Sequence, residues 1–168
     1  MKLGIVGSEA AKFTAETERE ARQCIRSMVK EFRAYLVISG HSPLGGIDWW
    51  AIEEATAQGV PTREYEPRVH AWAAPGGFRT RNLKIALDSD IVACITLKEL
   101  PPGYQGMRFP EGCYHCKTPP WDHVKSGGCW TMKQARRQGK KTLLVVIGPG
   151  PRTVVRVGVA STAVQSSF

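Results

Sequence analysis

The stretch LVISGHSPLGGIDWWAIEEA, residues 36–55, passes from an apolar run through a Ser/Gly-rich turn into an acid-led, helix-like segment. A strand that ends in small residues exposes backbone N–H groups, and the helix after it points the positive end of its dipole at the same place. That layout suits an anion such as phosphate. The turn is long for a plain connection, carrying Ser39, Gly40, His41, Ser42, Pro43, Leu44, Gly45 and Gly46 ahead of Asp48. Gly-rich turns also occur as simple linkers in α/β proteins, so the motif outlines a pocket without naming a reaction.

The same pattern opens the chain. Residues 2–6 form an apolar run stopped by Gly7 and Ser8. Ala21, Cys24, Ile25, Met28, Val29 and Phe32 then recur at three- and four-residue steps, the spacing of one helix face. Thr14 is placed to cap that helix, with Glu16 and Glu18 in its first turn. Residues 35–38 predict a second strand, 48–58 a second helix stopped by Gly59, and 60–65 a weaker third strand. Further on, 79–87 reads as a short helix, 90–96 as a strand, 128–138 as a helix closed by Gly139, and 142–147 as a continuous apolar strand. Helices alternating with fully apolar strands predict an α/β fold with a doubly wound, mostly parallel, Rossmann-like sheet.

At 168 residues the chain suits one domain, 1–168. No apolar run is long enough to span a bilayer, and the first residues read as strand and turn, not as a secretion signal. A soluble, cytoplasmic protein is expected. A net charge of +8 favours phosphate-bearing partners. The basic residues are scattered, apart from Arg79, Arg81 and Lys84 and the run Lys133, Arg136, Arg137, Lys140 and Lys141. No helix-turn-helix or aromatic RNA-binding motif accompanies them, so nucleic acid is not the favoured partner.

Two segments interrupt the alternation. Residues 97–125 are long, rich in Pro and Gly, and carry most of a Cys/His cluster, as an insertion or lid would. Residues 152–168 hold Val154, Val155, Val157 and Val159, which predict an edge strand, followed by a frayed end over 161–168. Cys24 and Cys94 sit in apolar patterns and read as small buried hydrophobes. Cys113-x2-Cys116, His123 and Cys129 supply three thiolates and an imidazole, the ligands of a tetrahedral structural zinc, and predict a zinc-stapled insertion. His115 is the alternative fourth ligand, and Glu111 and Asp122 are the acids that a catalytic zinc would use.

Four segments carry a family likeness: LGIVGS at 3–8, SGHSPLGGIDWWA at 39–51, RTRNLKIALDSDIVACI at 79–95 and SGGCWTMKQARRQGKKTLLVVI at 126–147. In order and spacing they resemble the SLOG superfamily of Rossmann-like domains, the group of LOG-type and DprA-related proteins, and most of all its YspA/YpsA-like branch. The resemblance implies a pocket for a nucleotide or nucleotide-derived ligand at the C-terminal ends of the strands, in a chain that assembles as a homo-oligomer. Carried onto this sequence, Gly7 and Ser8 supply backbone donors, Ser39, Gly40, Gly45 and Gly46 let the backbone approach phosphate or ribose, and Asp48 accepts from ribose hydroxyls. Arg81 is a fork for phosphate, Asn82 offers donor and acceptor, and Ser126, Gly127, Gly128 and Thr131 close the other side.

Each of these residues also has a plainer role open to it. Asp48 and Asn82 suit helix caps, Arg81 suits an ion pair with Asp88 or Asp90, and Trp49, Trp50 and Trp72 suit packing. LOG-type enzymes use a Glu in a PGGxGTxxE motif to cleave the base–ribose bond, whereas this chain has SGGCWTMKQ, with Lys133 and Gln134 where an acid is wanted. Binding as a sensor or sequestering module is therefore the first expectation. The alternative is a nucleotide-processing enzyme that cleaves an N-glycosidic or phosphate bond with Asp48, Glu53 or Glu54 as its carboxylate.

Overall fold

A computed structural model describes residues 1–109, 112–116 and 123–148, and the backbone of 154–158. Glu111, Asp122 and the tail from 159 onward lie outside the described residues. The elements run β1 (Lys2–Gly7), a 3-10 turn (Ala10–Lys12), α1 (Ala15–Glu31), β2 (Leu36–Gly40), α2 (Ile47–Ala57) and β3 (Thr62–Tyr65). They continue with α3 (Phe78–Asp88), β4 (Ile91–Leu97), α4 (Gly127–Arg137), β5 (Lys141–Ile147) and β6 (Val154–Gly158).

The sheet order is β3-β2-β1-β4-β5-β6. The first five strands are parallel, with Leu3 opposite Val37 on one side and Ile91 on the other. β6 lies antiparallel along β5, which gives the expected edge strand its place. This is the doubly wound, mostly parallel fold expected from the alternation of elements. Among the described residues no helix is long and apolar enough to cross a membrane.

Strand periodicity sends alternate side chains to opposite faces, and the two faces bury separate cores. Leu3, Ile5, Val37, Ala93 and Ile95 pack against Ile25 and Val29 of α1 and Ala51 of α2. Val6, Ile38, Val92 and Cys94 pack against Ile85 of α3 and Met132 of α4, and Cys113 and Cys129 belong to that second core. Each fully buried Ile or Leu contributes about 1.5–3 kcal/mol relative to exposure, so the two cores dominate the stability of the sheet.

Local chemistry sets the ends of α1. The Thr14 hydroxyl accepts from the Thr17 N–H at 3.2 Å, and the Thr17 hydroxyl accepts from the Thr14 N–H at 2.9 Å, a reciprocal cap built from two threonines. The helix stops at Phe32, after which Arg33 turns left-handed at φ 47°. The loop between β2 and α2 turns on Gly46 at φ 84°, where a side chain would run into the backbone of Ser8 and Ala10. It is thereby pressed onto the end of β1.

Candidate functional site

The strand order reverses between β1 and β4, and in open α/β sheets the crevice at the carboxyl ends of the strands beside such a point is where ligands bind. A cleft of about 240 Å³ lies there. The end of β1 and the 3-10 turn supply Val6, Gly7, Ser8, Glu9 and Lys12; the loop before α2 supplies Ser42, Leu44 and Gly45; and α2 supplies Asp48. Trp72, Phe78, Arg81 and Asn82 form the wall at α3, and Lys125, Ser126, Gly127 and Gly128 the wall at α4.

Nine of the expected ligand-binding residues thus line one cleft: Gly7, Ser8, Gly45, Asp48, Arg81, Asn82, Ser126, Gly127 and Gly128. Four others lie behind its surface. Ser39 is fully buried and donates its hydroxyl to the Ile5 carbonyl at 2.7 Å, tying β2 to β1. Gly40 lies directly under the Arg81 guanidinium, in space that any side chain would fill. Gly46 is the turn residue against Ser8, and the fully buried Thr131 donates to the Gly127 carbonyl at 3.3 Å.

Several donors expected to face a ligand are engaged within the protein. The Ser8 N–H donates to the Ile95 carbonyl at 3.1 Å, and its hydroxyl lies 3.0 Å from that of Thr96. The Gly7 N–H favours the charged form of Asp48. The Gly128 N–H donates to the Ser126 hydroxyl at 3.1 Å, the side-chain cap of α4.

Asp48 and Arg81 meet each other. Arg81 Nη1 donates to Asp48 Oδ2 at 2.7 Å, with both side chains more than nine-tenths buried. Burial pushes the Asp48 carboxyl above its usual range, against the lowering effect of Arg81 and the Gly7 N–H. The packing role open to Trp50 is seen, while the caps and the Arg81 partners left open by the sequence are corrected. Gly46 caps α2 in place of Asp48, and Gly77 caps α3 in place of Asn82. Asp88 pairs with Lys2 and Arg63, and Asp90 accepts from the Lys2 N–H at 2.7 Å, so neither takes Arg81. The Arg81 fork is only partly used, because its Nε is buried without a hydrogen-bond partner.

The cleft has two further cations that the sequence did not single out. Lys12 stands in the 3-10 turn, 3.7 Å from Glu9, and burial pushes its ammonium below the usual range, with Lys125 adding like-charge repulsion. The Lys125 ammonium lies 4.5 Å from the Phe109 ring centre and 5.3 Å from that of Tyr114. Trp72 is 40% exposed and packs edge-on against Trp130 at 5.5 Å, so its ring both lines the cleft and meets solvent.

Glu53 and Glu54, the other carboxylates weighed for catalysis, lie elsewhere. Arg22 donates to Glu53 at 2.8 Å and to Glu54 at 3.1 Å, and Arg26 donates to Glu54 at 2.8 Å, joining α1 to α2. Among the described residues the cleft's carboxylates are Asp48 and Glu9, and Glu9 accepts from the Tyr104 hydroxyl at 2.7 Å.

Next to the cleft, Cys113, Cys116, His123 and Cys129 bring three sulfurs and one ring nitrogen within 4.8 Å of one another. His123 Nε2 lies 3.6 Å from Cys129 Sγ. Ligand atoms around a tetrahedral zinc stand roughly 3.3–3.8 Å apart; the His123–Cys129 pair has that spacing, and the set is compatible with a metal site. Hydrogen bonds from Cys116 and Cys129 push the Cys113 thiol far below its usual range, and the same contacts push the other two up. The thiolate, not the thiol, is the form that binds a metal cation. His115 takes no part: its ring packs on Tyr114 at 4.3 Å and faces Trp72 at 6.5 Å. Cys129 belongs to the first turn of α4 and lies 3.9 Å from Cys94, so the cluster is fastened to the same helix start that lines the cleft.

No family model, curated protein or solved structure matches this chain.

Proposed function

We propose that this chain binds a nucleotide or nucleotide-derived phosphate ligand in the cleft beside β1, as a sensor or sequestering module. The observation that carries the reading is the meeting, at the strand-order reversal, of two lysines, a half-exposed tryptophan and the start of α4. Lys12 and Lys125 take the phosphate, Trp72 and Phe78 give the base an apolar wall, and Asn82 offers the ribose a donor and an acceptor. Asp48 and Arg81 act chiefly on each other, as a buried strut between α2 and α3. The likeness to the SLOG superfamily supports the same location, since the four segments that carry it surround this cleft.

Zinc is the metal we assign to the cluster of Cys113, Cys116, His123 and Cys129, because three thiolates and one imidazole are a structural zinc donor set with no position left open. Its role is to staple the insertion to α4 and to set Lys125 beside Lys12. Binding without turnover follows from the carboxylates: Asp48 is held by Arg81 and Glu9 by Tyr104 and Lys12.

Thermal denaturation with a panel of nucleotides tests the reading. A ligand present at a hundred times its Kd stabilises the fold by about 2.7 kcal/mol, a rise in Tm of roughly 5–10 °C for a chain of this size. Mass analysis of the recovered ligand is expected to find it unchanged. No stabilisation by any phosphate-bearing nucleotide would overturn the reading.

A further inference from the structure

Lys12 and Lys125 stand where two cavities meet. The first is the cleft beside β1. The second, of about 400 Å³, shares both lysines and adds Lys98, Arg108 and Phe109, with Gly112 and His123 from the metal loop. Its walls are fastened to the sheet. The Val124 N–H donates to the Leu97 carbonyl at 2.6 Å, and the Thr96 hydroxyl donates to the Val124 carbonyl at 2.9 Å. The Lys98 N–H donates to the Ile147 carbonyl at 2.7 Å, and the Tyr104 hydroxyl ties the loop to Glu9.

Among the described residues, the charged lining of this second cavity is mostly cationic. Lys12, Lys98, Arg108 and Lys125 face it with a single carboxylate, Glu99, among its described lining. Such cations repel one another, and an anion placed between them removes that repulsion while gaining charge-assisted hydrogen bonds. A single phosphate can engage the lysine pair at the junction. A second phosphate linked to it would continue toward Arg108 and Lys98, and a guanidinium is the side chain best shaped to grip it with two parallel N–H donors.

We propose that the ligand carries at least two linked phosphates, one held by Lys12 and Lys125 at the junction and the next reaching Lys98 and Arg108 in the second cavity. This rests on the cleft reading above and adds a ligand class to it: diphosphate-bearing nucleotides in preference to monophosphates. The apolar side of the second cavity, Met107 and Phe109, leaves room for whatever the diphosphate carries at its far end.

Calorimetric titration of the zinc-loaded full chain with adenosine monophosphate and adenosine diphosphate tests it. The diphosphate is expected to bind at least tenfold more tightly. The double variant Lys98→Gln/Arg108→Gln, altered only at exposed positions, is expected to lose most of that advantage and to keep the affinity for the monophosphate. Lys125→Gln is expected to weaken both. Equal wild-type affinities, or an advantage undiminished in the double variant, would overturn the inference and leave the cleft reading standing. Failure of these and of every other nucleoside mono- and diphosphate to bind would overturn the two together.

Discussion

Replacing Arg81 with methionine isolates the buried strut. The pair bonds at 2.7 Å with side chains 7% and 9% exposed, so the substitution leaves a carboxylate enclosed in protein with its charge partner gone. Breaking a buried pair from one side costs about 3–5 kcal/mol, whereas removing both charges is close to neutral. For a chain of this length that is a fall in Tm of roughly 6–20 °C. Burial already raises the Asp48 pKa, and Arg81 supplies the largest of the effects that lower it, so the carboxyl moves further up in the variant. A carboxyl whose folded-state pKa is raised holds its proton more tightly in the native state than in the unfolded chain. Its contribution to stability is therefore most favourable at low pH and is lost as pH rises through the folded-state pKa. Urea denaturation at about pH 5 and about pH 8 should show a larger deficit at the higher pH. Asp48→Asn in the same chain should recover most of it. A loss below about 1 kcal/mol at the higher pH, or a larger loss at the lower one, would refute the reasoning.

Three other outcomes are expected. Elemental analysis of protein prepared without chelator should find about one zinc per chain; Cys113→Ser should lose it and Cys24→Ser should keep it, while retention of metal by Cys113→Ser would remove the assigned site. Gly128→Ala places a methyl group 2.6 Å from Cys94 Sγ and 3.1 Å from the Gly7 nitrogen, so it should shift the start of α4, cost about 1–3 kcal/mol and weaken nucleotide binding; unchanged stability by denaturant titration would show that α4 has slack there. Incubation with adenosine monophosphate should release no adenine detectable by chromatography, because Glu53 and Glu54 are held by Arg22 and Arg26 and Asp48 by Arg81; robust release would restore the hydrolase alternative.

What the sequence disclosed depended on the distance over which each signal acts. The face of α1 and its Thr14 cap are written within a few residues, as are the apolar run of β5 and the CxxC turn with His123 and Cys129. All of these were legible. The preference for His123 over His115, which lies between the two cysteines, agrees with the structure, where His115 turns toward Tyr114 and Trp72. The Asp48–Arg81 bond joins residues 33 positions apart on different helices, and no local rule pairs them. Lys12 sits in a three-residue turn too short for a periodic pattern, and its neighbour Lys125 comes from the end of the insertion. The anion chemistry was therefore expected from backbone loops, while the structure engages several of those donors internally and leaves the lysines facing the cleft.

The claim that the cleft beside β1 is the ligand site is tested most directly by backbone amide NMR of the zinc-loaded chain titrated with adenosine diphosphate. Saturable shifts are expected at Gly7, Ser8, Lys12, Gly45, Trp72, Asn82, Lys125 and Gly127 and, from the second phosphate, at Lys98 and Arg108, with the outer face of α1 at Arg19 and Lys30 unmoved. Shifts centred away from those residues, or none at millimolar nucleotide, would contradict it.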